Sequence, residues 1–249
     1  MLSPLLTEPA LLAGLSAIAV LLVITWVVDL LDLRRKRASQ PGYSKRKAYA
    51  RTMLMLWTTA ALCVAAWLGS GRDLATLGLS AGTGWRGLAG WIAALLPSAY
   101  VIYTIYLAAT SREARASIRQ QFDTAKGMDL LRPQTRKEHR DFQFLSVTAG
   151  VTEEIIFRGF LIGALGLVLP LWLAAFVSVA AFLLAHIYQG AAGLGRIAPV
   201  TLVMTGIFLV SGTLWPAILL HCLVDAAAGG MIALVDHHEA ADKAEPVPA

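Results

Sequence analysis

The chain has 249 residues, of which 57% are hydrophobic and only 15% are charged. Soluble domains carry about 25% charged residues, so this composition and a mean hydropathy of +0.64 exclude a soluble globular protein and indicate an integral membrane protein. We interpret the net charge of +5 as serving to orient the chain in the membrane and to contact anionic lipid headgroups, rather than to bind nucleic acid.

Seven stretches are long and apolar enough to cross a hydrocarbon core of about 30 Å. They cover residues 10–31, 52–69, 88–109, 143–168, 171–188, 197–213 and 215–235. The sequence therefore predicts an all-α fold, a polytopic membrane bundle of about seven transmembrane helices. The first apolar run lacks the basic start of a cleavable signal peptide, so we expect it to remain as a membrane anchor.

The spans divide the chain into three parts. Residues 1–142 hold N-terminal transmembrane helices and cytoplasmic loops, and residues 143–235 form a core with all the polar motifs. Residues 236–249 are charged and rich in Pro and Ala, so this tail is predicted to be disordered.

Basic residues are concentrated in two loops. The first loop holds Arg34, Arg35, Lys36, Arg37, Lys45, Arg46, Lys47 and Arg51, and the third holds Arg112, Arg115, Arg119, Lys126, Arg132, Arg136, Lys137 and Arg140. Because cytoplasmic loops are enriched in Lys and Arg, we expect both loops and the C-terminus to be cytoplasmic and the N-terminus to be outside.

The third loop also carries apolar residues at a spacing of four, namely Ala114, Ile118 and Phe122, between its arginines. This pattern is typical of a basic amphipathic helix in the membrane interface. A solvated loop helix explains the same pattern equally well.

The stretch VTEEIIFRGFLIGAL places three charged residues, Glu153, Glu154 and Arg158, in an apolar span. A charge at the bilayer centre costs at least about 2.5–3.5 kcal/mol. Residues four apart share a helix face, whereas adjacent residues point about 100° apart, so Glu154 is expected to pair with Arg158. Glu153 is then left unpaired and suited to act as a general base. The alternative is a structural network that only holds helices together.

Two histidines lie in the following spans. His186 comes one turn after Phe182, and His221 comes one turn before Asp225. Asp225 is placed to accept a hydrogen bond from His221 or to share a cavity with it. Together with Glu153, these side chains suit a site that polarises water for hydrolysis, or that holds a divalent metal for the same purpose.

Three motifs follow one another in order: EEIIFR fits EExxxR, FLLAH fits FxxxH and HCLVD fits HxxxN/D. This ordered set resembles the CPBP, or ABI, family of intramembrane proteases, which includes the type II CAAX prenyl endopeptidases. The resemblance covers about residues 143–235, including the SGTLWP turn before the last motif.

The resemblance implies an intramembrane endopeptidase of a bacterial cell membrane, with a polar cavity open to the cytosol. Glu153 would activate a water together with His186, and Glu154, Arg158 and Phe182 would support them. The implied substrate is a membrane-embedded or lipidated, CAAX-like peptide or protein.

The resemblance leaves the cofactor open. Glu153, His186 and His221 would supply three ligands to Zn²⁺ or another divalent metal and leave a fourth position for water, whereas a metal-free glutamate mechanism is the alternative. His221 and Asp225 would stabilise the oxyanion or help to bind the water or metal.

Asp225 replaces the asparagine of the prenyl endopeptidases, and an ionised aspartate cannot donate a hydrogen bond to an oxyanion. Asp225 would instead orient His221 and favour its imidazolium form. The replacement of asparagine also weakens the case for prenylated substrates specifically.

Straight helices would keep these side chains apart. Glu153 lies about 15 Å from the cytoplasmic edge, whereas His221 lies about 9 Å from the opposite edge if its span begins at Trp215. The site assembles only if the turn at residues 211–216 is sunk into the bundle, or if spans five and seven are tilted or broken near a water-filled cavity.

Two other functions compete with the protease. A proton-coupled transporter also uses buried carboxylates and histidines, but here the polar positions cluster in one late segment without paired half-repeats. A non-catalytic immunity or regulatory membrane protein of the same family is the third hypothesis.

Overall fold

A computed structural model describes residues 8–37, 44–124 and 132–244. Within these residues the chain is helical and contains no strand, which confirms the all-α prediction. The α-helices are α1 (Pro9–Arg37), α2 (Lys45–Gly69), α3 (Gly84–Thr110), α4 (Arg112–Thr124), α5 (Arg136–Glu153), α6 (Ile162–Leu165), α7 (Leu171–Ala185), α8 (Gly190–Ser211) and α9 (Trp215–Ala244). Two π-helical segments cover Ala75–Leu79 and Glu154–Leu161, and a 3₁₀ turn covers Ile187–Gln189.

Five helical stretches in the described residues are long and apolar enough to cross a membrane: Pro9–Asp32, Lys45–Gly69, Ala75–Thr110, Ile187–Ser211 and Trp215–His238. The helical membrane bundle is therefore confirmed. Of the other two expected spans, 171–188 contains the apolar but shorter α7. The span 143–168 consists of the second half of α5, the charged π-helical segment and α6.

The core of the bundle surrounds the π-helical segment Glu154–Leu161. Every residue of this segment is buried, and it continues directly from α5, which packs against α2 and α9. A π-helical turn inserts extra backbone into a helix and is common at functional sites. The three charges of the EEIIFR motif therefore lie in or beside the most enclosed part of the described bundle.

Ion pairs tie the helices together at both ends of the bundle. At one end, Arg46 of α2 pairs with Asp141 of α5 at 2.5 Å, and its hydrogen bond holds the pKa of Asp141 below the usual value. At the other end, Arg72 makes two hydrogen bonds to the Glu8 carboxylate. These pairs fix which ends of α1, α2 and α5 lie side by side.

The turn between α8 and α9 is buried under the π-helical turn Ala75–Leu79. The Leu214 amide donates to the Gly78 carbonyl at 2.8 Å, and the Thr213 hydroxyl donates to the Ser80 carbonyl at 2.7 Å. Thr213 and Leu214 are both fully buried. The turn is thus sunk into the bundle, which is one of the two conditions for bringing the histidines together.

The second condition is met at the end of α7. This helix ends at Ala185, and His186 adopts a non-helical backbone before the 3₁₀ turn Ile187–Gln189. The predicted fifth span is therefore broken at His186 itself. The break frees this residue from helical geometry and places it at the wall of a cavity.

Two predictions concern the periphery of the bundle. A helix does form in the third loop, α4, which bears Ala114 and Ile118, while the side chain of Phe122 lies outside the described residues. At the C-terminal end, α9 continues to Ala244, within the segment 236–249 that is predicted to be disordered, and the disorder of this tail stays a prediction. The helix continues because its last turns are rich in alanine, the best helix former. Residues 245–249 lie outside the described residues.

Candidate active site

The site depends on a close approach of α5 and α9. A β-carbon at Gly150 would lie 2.4 Å from Cys222 Sγ and 2.8 Å from the Cys222 amide nitrogen. Only glycine allows this spacing, because any other residue would collide with the α9 backbone. The contact brings His221, which precedes Cys222, against the glutamates that follow Gly150 by one turn.

One oxygen of the Glu154 carboxylate accepts hydrogen bonds from two side chains. Its Oε1 accepts from Arg158 Nη1 at 2.9 Å and from His221 Nδ1 at 2.8 Å. All three side chains are buried. The ion pair expected from the four-residue spacing is present, but the bond to His221 joins residues 67 positions apart. Sequence spacing could not have shown it.

Arg158 is fixed on its other sides by α8 and by an aromatic ring. Its Nε donates to the Thr205 hydroxyl at 3.4 Å, and its Nη2 donates to the Thr201 carbonyl at 3.4 Å. The guanidinium carbon lies 4.6 Å from the centre of the Phe182 ring, within the range of a cation–π interaction. Sequence analysis missed both threonines, although their spacing of four within an apolar span marks a polar helix face.

Glu153 is placed differently from its neighbour. It is 8% exposed, and its Oε2 is buried without a hydrogen-bond partner among the described residues. The nearest charged or ring nitrogen is His221 Nε2, at 3.8 Å from Oε2. This carboxyl also lines a cavity, and it forms no ion pair at hydrogen-bond distance with the described residues.

His186 is held in one orientation by Phe182. Its Nδ1 lies 2.8 Å from the Phe182 carbonyl, and its ring stacks on the Phe182 ring with the centroids 4.4 Å apart. A carbonyl oxygen can only accept, so Nδ1 carries the proton. In the neutral imidazole, Nε2 is then the nitrogen that can accept a proton or bind a water.

Phe182 also connects the two histidines. Its ring centroid lies 6.1 Å from that of His221, in an edge-on arrangement, while the stacked His186 occupies another side. The Phe182 side chain is 4% exposed. The aromatic position of the FxxxH motif thus packs between both histidines and Arg158, and it sets their relative positions.

Asp225 lies one turn beyond His221. Its Oδ2 is 3.7 Å from His221 Nε2, so this nitrogen is flanked by two carboxyls, Asp225 and Glu153, both slightly beyond hydrogen-bond distance. A separation of this size is suited to a bridging water. Asp225 therefore neighbours His221 through Nε2, whereas Glu154 binds the same ring through Nδ1.

The four residues predicted to be catalytic line one cavity. Glu153, His186, His221 and Asp225 all contribute to a cavity of about 400 Å³. This volume is in the range of small-molecule and peptide pockets. The cavity continues between α1, α2, α5 and α8, and it also contacts Ile118 of α4.

The expected metal ligands were tested against this geometry. Within the described ranges, no group of three or more His, Cys, Asp and Glu side chains is arranged to hold a metal ion. One nitrogen of His221 is bonded to Glu154 and one nitrogen of His186 to a carbonyl. The set of Glu153, His186 and His221 is thus not assembled as a ligand triad here, and the divalent cofactor stays a prediction.

Comparison with known proteins gives one family resemblance, over part of the chain. Residues 140–227 match the family described as type II CAAX prenyl endopeptidase Rce1-like. The matched segment carries all three motifs and every candidate catalytic residue, so the resemblance found from the motifs is confirmed. This segment is Rce1-like, the description under which the family is known. Searches among curated proteins and solved structures gave no significant match.

Because α5 and α9 approach closely at Gly150, a larger side chain there is expected to reduce peptide cleavage strongly. Gly150→Val is expected to lower peptide cleavage at least about tenfold, because branched carbons at this position would push α9 and His221 away from Glu154. The control is Gly230→Ala in α9, where an added β-carbon meets no atom within 4 Å. Cleavage rates and thermal unfolding in detergent measure the effect. Equal activity of both variants would show that the α5–α9 distance does not position the site.

Proposed function

We propose that the protein is an intramembrane endopeptidase that hydrolyses a peptide bond in a membrane-associated or lipidated substrate. The observation that carries this proposal is the Glu153 carboxyl, which shares a cavity with His186 and has no ion pair at hydrogen-bond distance in the described part of the chain, its nearest ring nitrogen being His221 Nε2 at 3.8 Å. Glu154 also has an unpartnered buried Oε2, but its Oε1 is bonded to Arg158 and His221. Charges that only stabilise the fold are paired, as in Glu154 and Arg158. A general base instead needs a carboxylate that is not bonded to another side chain and that can contact a water.

In the proposed reaction, Glu153 accepts a proton from a water, and the water oxygen attacks the carbonyl carbon of the scissile bond. His186 orients the same water through Nε2. The proton then passes from Glu153 to the amide nitrogen, and the carbon–nitrogen bond breaks. The products are a new carboxyl group and a new amine, so one water is consumed for each bond cut.

His221 is the proposed donor to the tetrahedral oxyanion. Glu154 holds the ring through Nδ1, which leaves Nε2 directed toward Glu153 and Asp225. In its imidazolium form, this nitrogen donates a hydrogen bond to the developing negative charge. Asp225 orients the ring and balances its charge, a role that an ionised aspartate fulfils without donating a proton.

The orientation of the chain is part of the proposal. The basic loops face the cytoplasm and bind anionic lipid headgroups, with α4 at the interface, because its helix bears Arg112, Arg115 and Arg119. The cavity is lined by Ile118 and Gln121 of α4 as well as by the catalytic residues. Substrates therefore reach the site from the cytosolic side or from the membrane.

The hydrolysis itself is tested with purified protein in liposomes that contain anionic lipid. A membrane-anchored peptide, prenylated or not, is incubated in ¹⁸O-labelled water, and its fragments are analysed by mass spectrometry. We expect one defined cut and one ¹⁸O atom in the new carboxyl group. No cut in either peptide contradicts the proposal, and a proton flux that requires Glu153 would instead indicate a carrier.

A separate prediction concerns His186. His186→Ala is expected to lower kcat about 100-fold with little change in KM, because general acid–base assistance contributes about that factor or more. His237→Ala, an exposed histidine near the end of α9, is the control. Metal analysis of wild type and His186→Ala accompanies the assay. One metal per chain that disappears with His186 identifies metal assistance, and full activity after chelation identifies the metal-free reaction.

A further inference from the structure

Ser178 of α7 is a buried polar residue to which the proposed reaction gives no role. Its hydroxyl donates to the Phe157 carbonyl at 2.6 Å, and Ser178 and Phe157 are each 1% exposed. Phe157 lines the cavity, whereas Ser178 is not one of the described residues that line it. Ser178 therefore does not contact a substrate, and an effect on cleavage has to pass through other side chains.

The hydrogen bond of Ser178 joins two segments of the bundle. Hydroxyl side chains in apolar helices commonly bond to the carbonyl four residues earlier in the same helix. The Thr152 hydroxyl donates to the Thr148 carbonyl in this way at 2.7 Å, and the Thr205 hydroxyl makes the same kind of bond at 2.8 Å. The Ser178 hydroxyl instead bonds to a carbonyl 21 positions away. It therefore connects α7 to the segment that contains Phe157.

The accepting carbonyl belongs to the π-helical segment Glu154–Leu161. In an α-helix, the Phe157 carbonyl would accept from the amide four residues further on, but here the donor is the Ile162 amide, five residues further on. A carbonyl oxygen has two lone pairs and accepts two donors. Ser178 supplies the second donor, so it ties α7 to the turn that directly follows Glu153.

Ser178 shares a face of α7 with Phe182 and His186. Residues four apart lie on one helix face, and these three residues follow one another at that spacing. The Phe182 ring meets the Phe157 ring edge-on, with the centroids 5.3 Å apart, and the Phe182 carbonyl holds His186 Nδ1. Two successive turns of α7 thus contact Phe157, and His186 follows one turn later.

We propose that Ser178 is a positioning residue, whose hydrogen bond to the Phe157 carbonyl sets the distance between His186 and Glu153. The proposal rests on the endopeptidase function proposed above and adds a residue to it. Glu153 directly precedes the π-helical segment and His186 directly follows α7, so a shift of α7 along this segment moves one relative to the other. Acid–base assistance requires both groups within hydrogen-bond reach of one water, and a displacement of about 1 Å can lower a rate about 100-fold.

The kinetic test compares Ser178→Ala with Ser98→Ala, the same change at a partly buried serine of α3. Ser178→Ala is expected to lower kcat about tenfold with KM unchanged, because only the alignment around the water is impaired. Ser98→Ala should cleave at the wild-type rate. Rates are measured per folded protein after size-exclusion chromatography. If Ser178→Ala does not fold, Ser178→Cys takes its place, and its weaker donor is expected to lower kcat in the same direction.

A double-variant cycle shows whether Ser178 acts through His186. If it does, adding Ser178→Ala to His186→Ala should lower kcat no further, because the aligned group is already absent. A merely structural role would lower kcat by the same factor in both backgrounds. That result, or an unchanged kcat in the single Ser178 variant, overturns the proposal.

A measurement without substrate separates this proposal from the proposed reaction. The chain has five histidines, so the ring-proton NMR signals of His221 are assigned by their loss in His221→Gln. The Phe182 ring of α7 lies edge-on to the His221 ring of α9, with the centroids 6.1 Å apart, and these signals therefore report the position of α7. We expect them to shift in Ser178→Ala and to stay in place in Ser98→Ala. Unchanged signals overturn the role of Ser178 even if wild type cleaves peptides, whereas a shift without any cleavage supports it and contradicts only the endopeptidase function.

Discussion

Glu153→Gln is expected to lower kcat for peptide cleavage by at least about 100-fold, and up to about 10,000-fold, while the folded protein remains abundant. Glutamine has nearly the same shape as glutamate but cannot accept a proton from water, and general-base assistance contributes about this range. Because Glu153 Oε2 has no hydrogen-bond partner among the described residues, its replacement breaks no ion pair at hydrogen-bond distance. The thermal unfolding temperature should therefore change little.

The control for this prediction is Glu113→Gln, an exposed glutamate in the first turn of α4. It removes the same charge from the chain but lies far in sequence from the three motifs, so cleavage should continue at the wild-type rate. Single-turnover cleavage and unfolding are measured on the same preparations. Full activity of Glu153→Gln would refute the catalytic role of Glu153.

Arg158→Met is expected to have the largest effect on stability, about 3–5 kcal/mol, because it leaves a buried carboxylate without its cationic partner. Glu154 is fully buried and Arg158 is 1% exposed. The substitution also removes the bonds to Thr201 and Thr205 and the contact with the Phe182 ring. The expected result is a large drop in the unfolding temperature or in the yield of folded protein.

Two variants show whether the buried charge is the cause. Arg158→Met/Glu154→Gln removes both charges and should regain part of the lost stability, since no charge then remains unpaired at this position. Arg140→Met removes an arginine whose side chain is 65% exposed, and surface ion pairs contribute about 0–1 kcal/mol. A double variant no more stable than Arg158→Met would assign the loss to packing instead.

These two predictions give adjacent glutamates opposite roles. Glu154 joins Arg158 and His221 and is expected to act through stability and the orientation of His221. Glu153 faces the cavity and is expected to act through the reaction itself. Loss of Glu154 should therefore lower stability most and lower specific activity only as far as His221 is displaced, whereas loss of Glu153 should lower specific activity with little change in stability.

The sequence by itself determined the features that depend on local order. Runs of apolar residues gave the membrane-helix bundle, and the spacing of Glu154 and Arg158 gave their ion pair, because both follow from the geometry of a single helix. The ordered motifs gave a family resemblance, which the match over residues 140–227 supports. The disorder predicted from composition for residues 236–249 stays a prediction, although α9 continues to Ala244.

Only the tertiary structure decided which side chains of different helices contact one another. Three features link residues far apart in the chain: the bond from His221 to Glu154, the packing of Phe182 between the histidines, and the cavity that Glu153 shares with His186 and Ile118. They depend on the contact at Gly150, the buried turn at Thr213 and the end of α7 at Ala185. Helical periodicity shows which residues share a face of one helix, but the packing of side chains between helices determines which faces meet.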